Sequence, residues 1–454
     1  METSLDNTSQ HGNSATLSPT EPVATFDVIV VGAGPAGAAA ALTLAKRGRN
    51  VCLVERGPFA GSKNMYGGVI YGRILDELVP NWWDEIPVQR WITRRGTMLL
   101  TDHQSLCIDY RTTTWGKPPY NGFTAFRPDF DKWFADKAVA AGATLITSTT
   151  ATGLTRNARG VVNGITTDRG GSLQAKVVIA CDGVNSFLAK EAGLYPHTGK
   201  EHFTLGVKEV LAIPREEIES RFGVRGDEGA DFEIVGGTRG IAGGAFVYTN
   251  RDTVSIGAVL SLEGLSKAKI RPEEIIAGIK AHPSIAPLVE GGEVKEYAAH
   301  LIPEGGYDMM PTLYSDGLLI SGDAAAMCLA AGLWLEGVNY AMGSGMAAAE
   351  TAHESIALGD QSAQALRAYQ TRLENSWVLQ DHKKVRRAAH FLLSDRMQNR
   401  YPALACELME QLYTVENPKR KRGAGTIARP LRKKYGISFR DLAKDGRDSA
   451  SIFG

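Results

Sequence analysis

The sequence predicts an α/β protein with three parts: a discontinuous, Rossmann-like nucleotide-binding domain, an inserted antiparallel β-sheet domain and a helical C-terminal region. An apolar strand, a glycine-rich turn, a helix and a second strand follow one another across residues 26–55 and form one βαβ unit. Residues 201–300 instead show short segments of alternating character, which indicate an antiparallel sheet. The α/β pattern returns across residues 317–359, so the insertion divides the nucleotide-binding domain.

The βαβ unit carries the pattern of a dinucleotide-binding site. Its first strand ends directly before Gly32, and Gly32, Gly34 and Gly37 match GxGxxG where the next helix opens. Backbone N–H groups and the helix dipole can hold a pyrophosphate there. Glu55 follows 18 residues after Gly37, placed to accept hydrogen bonds from ribose hydroxyls. A structural tight turn is the alternative, but the elements occur in register, which favours a dinucleotide and leaves FAD or NAD open.

Three motifs farther along the chain bear on that choice. Arg127 precedes the helical stretch "PDFDKWF", and Asp182 and Gly183 lie in "ACDGVNS" after a predicted strand. Gly322 and Asp323 lie in "ISGDAAAM", again after a strand. Taken singly, either aspartate is as readily an ordinary turn or N-cap residue. In this order the motifs resemble those of the flavoprotein hydroxylase and geranylgeranyl reductase superfamily.

That resemblance covers roughly residues 26–359 and implies an FAD-binding domain of the glutathione-reductase type. In the superfamily, the residues that match Arg127 and Asp323 bind the FAD phosphate and ribitol. The turn that matches the Asp182–Gly183 pair also lies beside the cofactor. The resemblance therefore implies FAD as the cofactor of this chain.

The apolar segment after the Gly-Asp turn ends where a helix opens at Gly337, Val338 and Asn339. A helix N-terminus carries about half a positive charge, and here it can face the N1/O2 edge of a flavin, which is anionic in the reduced ring. Such a site needs no titrating side chain, and we assign no catalytic residue or general base. The alternative is packed core in which Glu336 is a favourable first-turn acid.

A further segment indicates which family within this superfamily the chain resembles. In "GSKNMYGGVIYG", residues 61–72, Gly67 and Gly68 permit close backbone approach to a flat ring, although a flexible surface turn is the alternative. Together with "GDAAAMCLAAGLWLEGVNYAMGSGMAAAE", this segment resembles the FixC type of electron-transfer-flavoprotein:quinone oxidoreductase. The resemblance implies that electrons pass from a reduced, FixA/FixB-like electron-transfer flavoprotein to FAD and onward to a membrane quinone.

The same resemblance implies a small FixX-like ferredoxin partner that carries an iron–sulfur cluster. Larger single-chain relatives hold a four-cysteine cluster near the C-terminus, whereas this chain has only Cys406 after Cys328. The five cysteines are scattered singly, without a CxxC or a Cys/His cluster. This pattern argues against zinc and iron–sulfur sites, and we predict no metal site.

The residues predicted to bind the cofactor come from all of these motifs. They are Gly32, Gly34, Pro35, Ala36, Gly37, Glu55, Arg56, Asn64, Gly67, Gly68, Arg127, Asp182, Gly183, Gly322, Asp323, Gly337, Val338 and Asn339.

The predicted boundaries are a disordered tail at 1–24, the FAD-binding domain at 25–80, 125–200 and 310–362, the quinone-side β-sheet domain at 81–124 and 201–309, and a helical, basic region at 363–454.

The charge pattern limits the classes of partner. Lys plus Arg and Asp plus Glu balance at 50 each, so no overall field attracts nucleic acid. The singly scattered cysteines fit a reducing compartment, and we expect a cytoplasmic protein. Between Asn417 and Arg447, however, 11 Lys or Arg against 2 Asp give a net charge of +9. Anionic lipid, an acidic partner and plain solvation fit this stretch equally well. Lipid contact would make the protein peripheral on the inner face of the cell membrane.

Three other functions share the framework. A geranylgeranyl-reductase type of enzyme would reduce isoprenoid double bonds and would enclose a long apolar tunnel in the domain at 201–300. A non-catalytic flavin relay subunit of an electron-bifurcating complex would bridge partners without turnover of its own. A hydroxylase would need reduction by NAD(P)H, and nothing between the Asp-Gly and Gly-Asp turns indicates that chemistry.

Overall fold

The described residues of the computed structural model are 25–64, 68–196, 199–332 and 335–453. The disordered tail predicted at 1–24 lies outside them, and so does Gly67. Strands and helices are numbered in chain order.

The strands among the described residues are β1 (Thr25–Val31), β2 (Val51–Val54), β3 (Gly68–Tyr71), β4 (Arg90–Leu100), β5 (Ser105–Arg111), β6 (Gly122–Ala125), β7 (Thr144–Ile146), β8 (Ala151–Arg156), β9 (Val162–Thr167), β10 (Ser172–Ala180), β11 (Phe203–Ala212), β12 (Glu228–Gly236), β13 (Gly243–Thr249), β14 (Thr253–Ser261), β15 (Glu293–Pro303), β16 (Tyr314–Ser315), β17 (Leu318–Ile320), β18 (Leu329–Ala330) and β19 (Leu335–Glu336).

The α-helices are α1 (Pro35–Lys46), α2 (Leu75–Leu78), α3 (Arg127–Ala140), α4 (Phe187–Glu191), α5 (Arg215–Phe222), α6 (Leu262–Ala268), α7 (Pro272–Ala281), α8 (Ala286–Val289), α9 (Val338–Leu358), α10 (Ala363–Leu366), α11 (Ala368–Glu374), α12 (Trp377–Lys384), α13 (Ala388–Leu392), α14 (Tyr401–Tyr413), α15 (Ala424–Lys434) and α16 (Phe439–Phe453). A π-helical turn, Arg396–Arg400, lies between α13 and α14.

The first sheet has eight strands and is built on the predicted βαβ unit. β1 lies between β10 and β2 and pairs with both in parallel, while β17 and β7 extend the parallel part on either side. β16 and the β8–β9 hairpin add antiparallel pairs. The central strands are buried along residues 28–31 and 51–54. Continuous apolar runs of this kind are typical of parallel strands covered on both faces.

Helices α1 and α9 are in direct backbone contact. α1 is rich in alanine, so the second helix approaches it closely. A Cβ atom added at Gly345 of α9 would lie only 2.1 Å from the carbonyl oxygen of Ala36 in α1. Because real Cβ atoms do not come so close to backbone, this contact requires glycine and fixes the two helices relative to each other.

The second sheet has nine strands in the order β15-β11-β14-β13-β12-β4-β6-β3, with β5 paired to β4. Most pairs are antiparallel, as predicted, but β12 and β4 pair in parallel. That pairing joins the segments 81–124 and 201–309 in one sheet. β3 pairs with β6 in this sheet, although it falls in the 25–80 segment that the sequence assigns to the nucleotide-binding domain. Strand partners depend on distant residues, and the division into domains stays a proposal.

The C-terminal helices are held together by a partly buried ion pair. Arg396 donates from Nε and Nη2 to the two carboxylate oxygens of Asp445 in α16, at 2.6 and 2.7 Å. The hydroxyl of Tyr401 in α14 donates to the same carboxylate at 2.7 Å. The hydrogen bond from Arg396 lowers the pKa of Asp445. Within the described ranges, no helix combines the length and apolar character needed to cross a bilayer.

Gly345→Ala should destabilise the protein, since the added Cβ overlaps backbone that has no room to move. We expect the free energy of unfolding to fall by about 1–3 kcal/mol in urea denaturation, the range of overpacked core positions. Gly446→Ala in α16 is the control, because a Cβ atom there meets nothing within 4 Å. Helix propensity should make that variant more stable by about 0.5–1 kcal/mol. Equal effects of the two substitutions would contradict the tight contact.

Candidate active site

One cavity of about 550 Å³, lined by residues of both sheets, collects most of the predicted residues. Its volume falls within the roughly 300–1,000 Å³ of small-molecule sites. The predicted residues that line it are Gly32, Gly34, Pro35, Ala36, Glu55, Arg56, Asn64, Gly68, Arg127, Asp182, Gly183, Asp323, Gly337, Val338 and Asn339. Gly37 and Gly322 are buried and do not line it. Gly67 lies outside the described residues.

The three glycines of the first motif have different structural tasks. Gly32 has a φ of +97°, and a Cβ there would lie 2.3 Å from the carbonyl oxygen of Cys181. A Cβ at Gly37 would lie 1.8 Å from the carbonyl oxygen of Gly32. At Gly34 the nearest atom is Arg127 Nη2, 3.9 Å away. The first and third glycines are therefore needed by the fold, and the second leaves open space at the cavity for a ligand.

Glu55 is buried at the end of β2 and already has two backbone partners. Its Oε2 accepts a hydrogen bond from the Ala33 N–H at 3.0 Å, and its Oε1 accepts one from the Gly57 N–H at 2.7 Å. The carboxylate therefore ties the glycine turn to the end of the strand. Each oxygen keeps a second lone pair, so the predicted acceptance of ribose hydroxyls is compatible with these bonds.

Arg127 is held by a residue that the sequence analysis missed. Its Nε and Nη2 donate to the two carboxylate oxygens of Asp131, at 2.7 and 2.8 Å. Burial raises the pKa of Asp131, and the charge of Arg127 opposes that rise. The spacing of four residues within α3 is the signal that would have identified the pair. The bidentate contact fixes the guanidinium at the cavity wall, with further N–H donors left for a phosphate.

Two aspartates reach the cavity from turns after β10 and β17, at the carboxyl ends of parallel strands. Asp182 accepts a hydrogen bond from the Leu188 N–H at 3.0 Å through Oδ2. Its Oδ1 is buried without a hydrogen-bond partner among the described residues. Burial raises the pKa of both Asp182 and Asp323, and His300 and Arg127 oppose the rise at Asp323. A buried acceptor needs a donor, so Asp182 Oδ1 fits a cofactor hydroxyl or N–H.

The Gly-Asp turn is fixed from behind by small and hydroxylic residues. Gly322 has a φ of +68°, and a Cβ there would lie 2.8 Å from the Cβ of Ala36. Its N–H donates to Ser344 Oγ at 3.1 Å, and the hydroxyl of Ser321 donates to the same atom at 2.9 Å. These contacts join the turn to α1 and α9 and thereby place Asp323 at the cavity.

The N-terminus of α9 lies at the cavity wall. Gly337 is its N-cap residue, and the described first turn has neither a side-chain cap nor an acid. The side-chain amide of Asn339 donates to the carboxylate of Glu336 instead of capping the helix. Unsatisfied N–H groups and the helix dipole make such an end a suitable position for an anion. That it faces the edge of the flavin ring stays a prediction.

The rest of the cavity wall was not predicted. It includes Tyr71, Asp231, Glu233, Phe246, Tyr248, Val259, Leu392, Met397 and Gln398. Gln398 accepts a hydrogen bond from the Gly243 N–H at 3.2 Å and donates to the carbonyl of Leu392 at 2.7 Å, which ties the C-terminal region to β13. Asp231 and Glu233, at alternate positions of the otherwise apolar segment "ADFEIV", were the signal for β12. In the described part of the chain, no group of three His, Cys, Asp or Glu is suited to a metal ion.

Three family models match the chain. They describe an FAD-dependent oxidoreductase at residues 27–229, an ETF-QO ubiquinone-binding segment at 203–302, and the C-terminal domain of the ETF-QO/FixC family at 388–451. Residues from all three matched segments line the cavity.

Similar proteins are found among both curated sequences and solved structures. The protein FixC of Azorhizobium caulinodans is 41% identical over 427 residues, which cover 91% of this chain and 98% of that protein. Protein FixC of Escherichia coli K12 is 37% identical, with coverage of 94% and 99%. The probable electron transfer flavoprotein-quinone oxidoreductase YdiS of the same strain is 36% identical, with coverage of 94% and 98%.

A geranylgeranyl bacteriochlorophyll reductase-like protein from Thermoplasma acidophilum has a solved structure that matches with a TM-score of 0.70 at 21% identity. The match covers 94% of this chain and 99% of that one. The family model and this fold confirm the predicted α/β class and FAD as the cofactor.

Gly34→Val should weaken FAD binding while leaving the fold intact, because its side chain enters the open space beside Arg127. We expect about tenfold weaker binding or more, equivalent to at least ~1.4 kcal/mol, in a flavin-fluorescence titration. The urea midpoint of the cofactor-free chain should change little. Gly32→Val provides the contrast and should lower that midpoint strongly, since its φ and the Cys181 carbonyl exclude a side chain. Unchanged FAD affinity in Gly34→Val would be inconsistent with a diphosphate at this glycine.

Asp131→Asn should destabilise the cofactor-free chain by about 3 kcal/mol, because it removes the charge that compensates a buried guanidinium. Asp136→Asn is the matched control on the same helix. Asp136 pairs with Lys132 at the same spacing, but the two side chains are 55% and 57% exposed. Its loss should cost less than about 0.5 kcal/mol. Urea denaturation measures both, and similar losses would show that burial does not distinguish the pairs.

Proposed function

The chain belongs to the FixC family of FAD-dependent oxidoreductases, and we propose that it passes electrons from a reduced electron-transfer flavoprotein to a membrane quinone. The donor would be of the FixA/FixB-like type that the sequence resemblance implies. The proposed second partner is a FixX-like ferredoxin carrying an iron–sulfur cluster.

The shared cavity is the observation that supports this proposal most strongly. Phe246 and Tyr248 lie in the segment 203–302, which matches the ubiquinone-binding model, and they line the same cavity as Gly34 and Arg127. Their rings are stacked, with centroids 5.6 Å apart and an interplanar angle of 19°. A flat apolar surface suits the ring of a quinone. An acceptor bound there would share one cavity with the cofactor.

The proposed division of labour leaves the redox chemistry to FAD, which accepts and donates two electrons when bound. The chain's own residues then bind and orient the cofactor. The N-termini of α1 and α9 and the guanidinium of Arg127 offer positive ends to anionic groups. Asp182 and Asp323 offer acceptors to hydroxyl groups, and the apolar wall keeps water away from the reduced ring.

The C-terminal surface supports a peripheral position on the inner face of the cell membrane. The basic residues 419–422 are exposed, and beside them in sequence Tyr413 and Val415 are 76% and 63% exposed. Each Lys or Arg near an anionic bilayer contributes about 1 kcal/mol, and exposed apolar side chains add to that. Docking of an acidic protein partner is the alternative use of this surface.

The reductase of isoprenoid double bonds has weaker support. The likeness to the geranylgeranyl reductase-like structure is at 21% identity and concerns the fold. The match to the ubiquinone-binding model instead concerns residues that line the cavity. A relay subunit of a bifurcating complex would accept electrons from the same donor as the proposed quinone reductase. It would differ because it does not turn over with quinone.

Reduced electron-transfer flavoprotein should reduce the FAD of the purified chain, and a long-chain quinone in vesicles should reoxidise it. Anaerobic stopped-flow absorbance of the flavin measures both the reduction and the reoxidation. The experiment is carried out in vesicles of anionic lipid and in vesicles of neutral lipid. Oxidation of the reduced flavin by quinone should be faster in anionic vesicles, and the cofactor-free chain is the blank. Reduction by NADPH alone would support a hydroxylase, and donor oxidation without quinone reduction would support a relay.

A further inference from the structure

Two acids of β12 face the cavity from a strand whose other face is apolar. Phe232 and Ile234 pack in the hydrophobic core of the second sheet domain. Asp231 and Glu233 alternate with them and line the cavity. Their side chains are 7% and 12% exposed. Because residues two apart on a strand share a face, the sequence of β12 places both carboxyl groups side by side.

One arginine, Arg95, interacts with both carboxyl groups. Arg95 of β4 lies beside Asp231 in the parallel β4–β12 register. Its Nε is 3.5 Å from Asp231 Oδ2, and its Nη2 donates to Glu233 Oε1. With both acids ionised, this group would carry a net negative charge inside a largely apolar wall. A shared proton removes that cost.

The surroundings of the acids favour the neutral form of one of them. Burial raises the pKa of Asp231 and of Glu233, the charge of Asp231 raises that of Glu233 further, and Arg95 opposes these shifts. Among the described residues, Tyr71 on β3 and Glu336 on β19 interact electrostatically with this group, and Tyr248 on β13 lies opposite Asp231. Burial raises the pKa of Tyr71 and of Glu336, which disfavours a further negative charge beside the acids.

The acids lie next to the aromatic surface described above. In the antiparallel β12–β13 register, Asp231 is opposite Tyr248 and Glu233 is opposite Phe246. A planar acceptor stacked on these rings would have its oxygen atoms within reach of the carboxyl groups. The carbonyl oxygens at the edge of such an acceptor are the atoms that take up protons when it is reduced.

We propose that Asp231 and Glu233 act together as the proton donor to the acceptor reduced in this cavity, an inference that rests on the proposed function. A quinone becomes a quinol by taking up two electrons and two protons. The reduced flavin supplies the electrons. For each proton, the carboxyl O–H bond of the pair breaks, a new O–H bond forms on a quinone oxygen, and Arg95 stabilises the carboxylate that remains. Water reprotonates the pair between the two transfers.

The alternative to a proton donor is an ion pair with a purely structural role. The neighbouring Arg94–Asp109 pair is an example of such an ion pair. Arg94, the residue before Arg95, binds Asp109 of β5 with Nε–Oδ1 at 3.0 Å. That pair has one acid for one base and lies at the protein surface, with 21% and 39% of the side chains exposed. A structural role for Arg95 needs only one carboxylate, and the second acid is explained by proton transfer.

The test compares two oxidants of the same reduced protein. The FAD of the purified holoprotein is reduced photochemically, and its reoxidation is followed with a short-chain quinone, which consumes protons, and with ferricenium, which takes up electrons alone. Glu233→Gln and Asp231→Asn should slow the quinone reaction by about 100-fold, the scale of general acid catalysis. The ferricenium reaction should keep its wild-type rate. Asp109→Asn is the control and should leave both reactions unchanged.

The pH profile and an infrared spectrum give independent readouts. The wild-type rate with quinone should fall as the pH rises through the titration of the pair, and Glu233→Gln should abolish that fall. The infrared difference spectrum between the wild type and Glu233→Gln should contain the band of one protonated carboxyl group. Equal slowing with both oxidants, or no slowing with either, would overturn the inference. A wild-type protein that never reduces quinone would instead refute the proposed function.

Discussion

The backbone contact between α1 and α9 is the constraint on which the rest of the site depends. Gly345 touches the backbone at Ala36, about two helical turns after α9 begins at Val338. Both helices therefore start at the same cavity, and their unsatisfied N–H groups reach it together. The Gly-Asp turn is wedged against the same two helices through Gly322. A shift at this crossing would move the two helix N-termini and the Gly-Asp turn relative to the cavity.

The two sides of the cavity come from different sheets and differ in chemical character. The side from the first sheet consists of turns, helix ends and carboxylates, which are suited to recognise a dinucleotide through hydrogen bonds and charge. The side from the second sheet is largely aromatic and aliphatic, and its polar side chains include Asp231, Glu233 and His300. The two walls come from segments that match different family models. The proposed function therefore assigns recognition of the cofactor and contact with its electron acceptor to different sheets.

The sequence predicted the parts of the site that are local. The strand, turn and helix around Gly32 depend on neighbouring residues, so spacing alone reveals them. Asp131 was missed although its spacing from Arg127 is helical, because the acid acts through another residue. Asp231 was missed because its importance depends on which sheet face meets the cavity. The pairing of β3 with β6 was not predicted for the same reason. Pairing between distant strands leaves little trace in a single sequence.

The division of the nucleotide-binding sheet along the chain has a consequence for biosynthesis. Its central strand β1 is made early, but the neighbouring strand β10 and the next strand β17 follow much later. A nascent chain that has left the ribosome only as far as β15 still lacks the Gly-Asp turn and α9. If the Gly-Asp turn and α9 hold the cofactor as proposed, its stable capture has to wait until these late segments have been made.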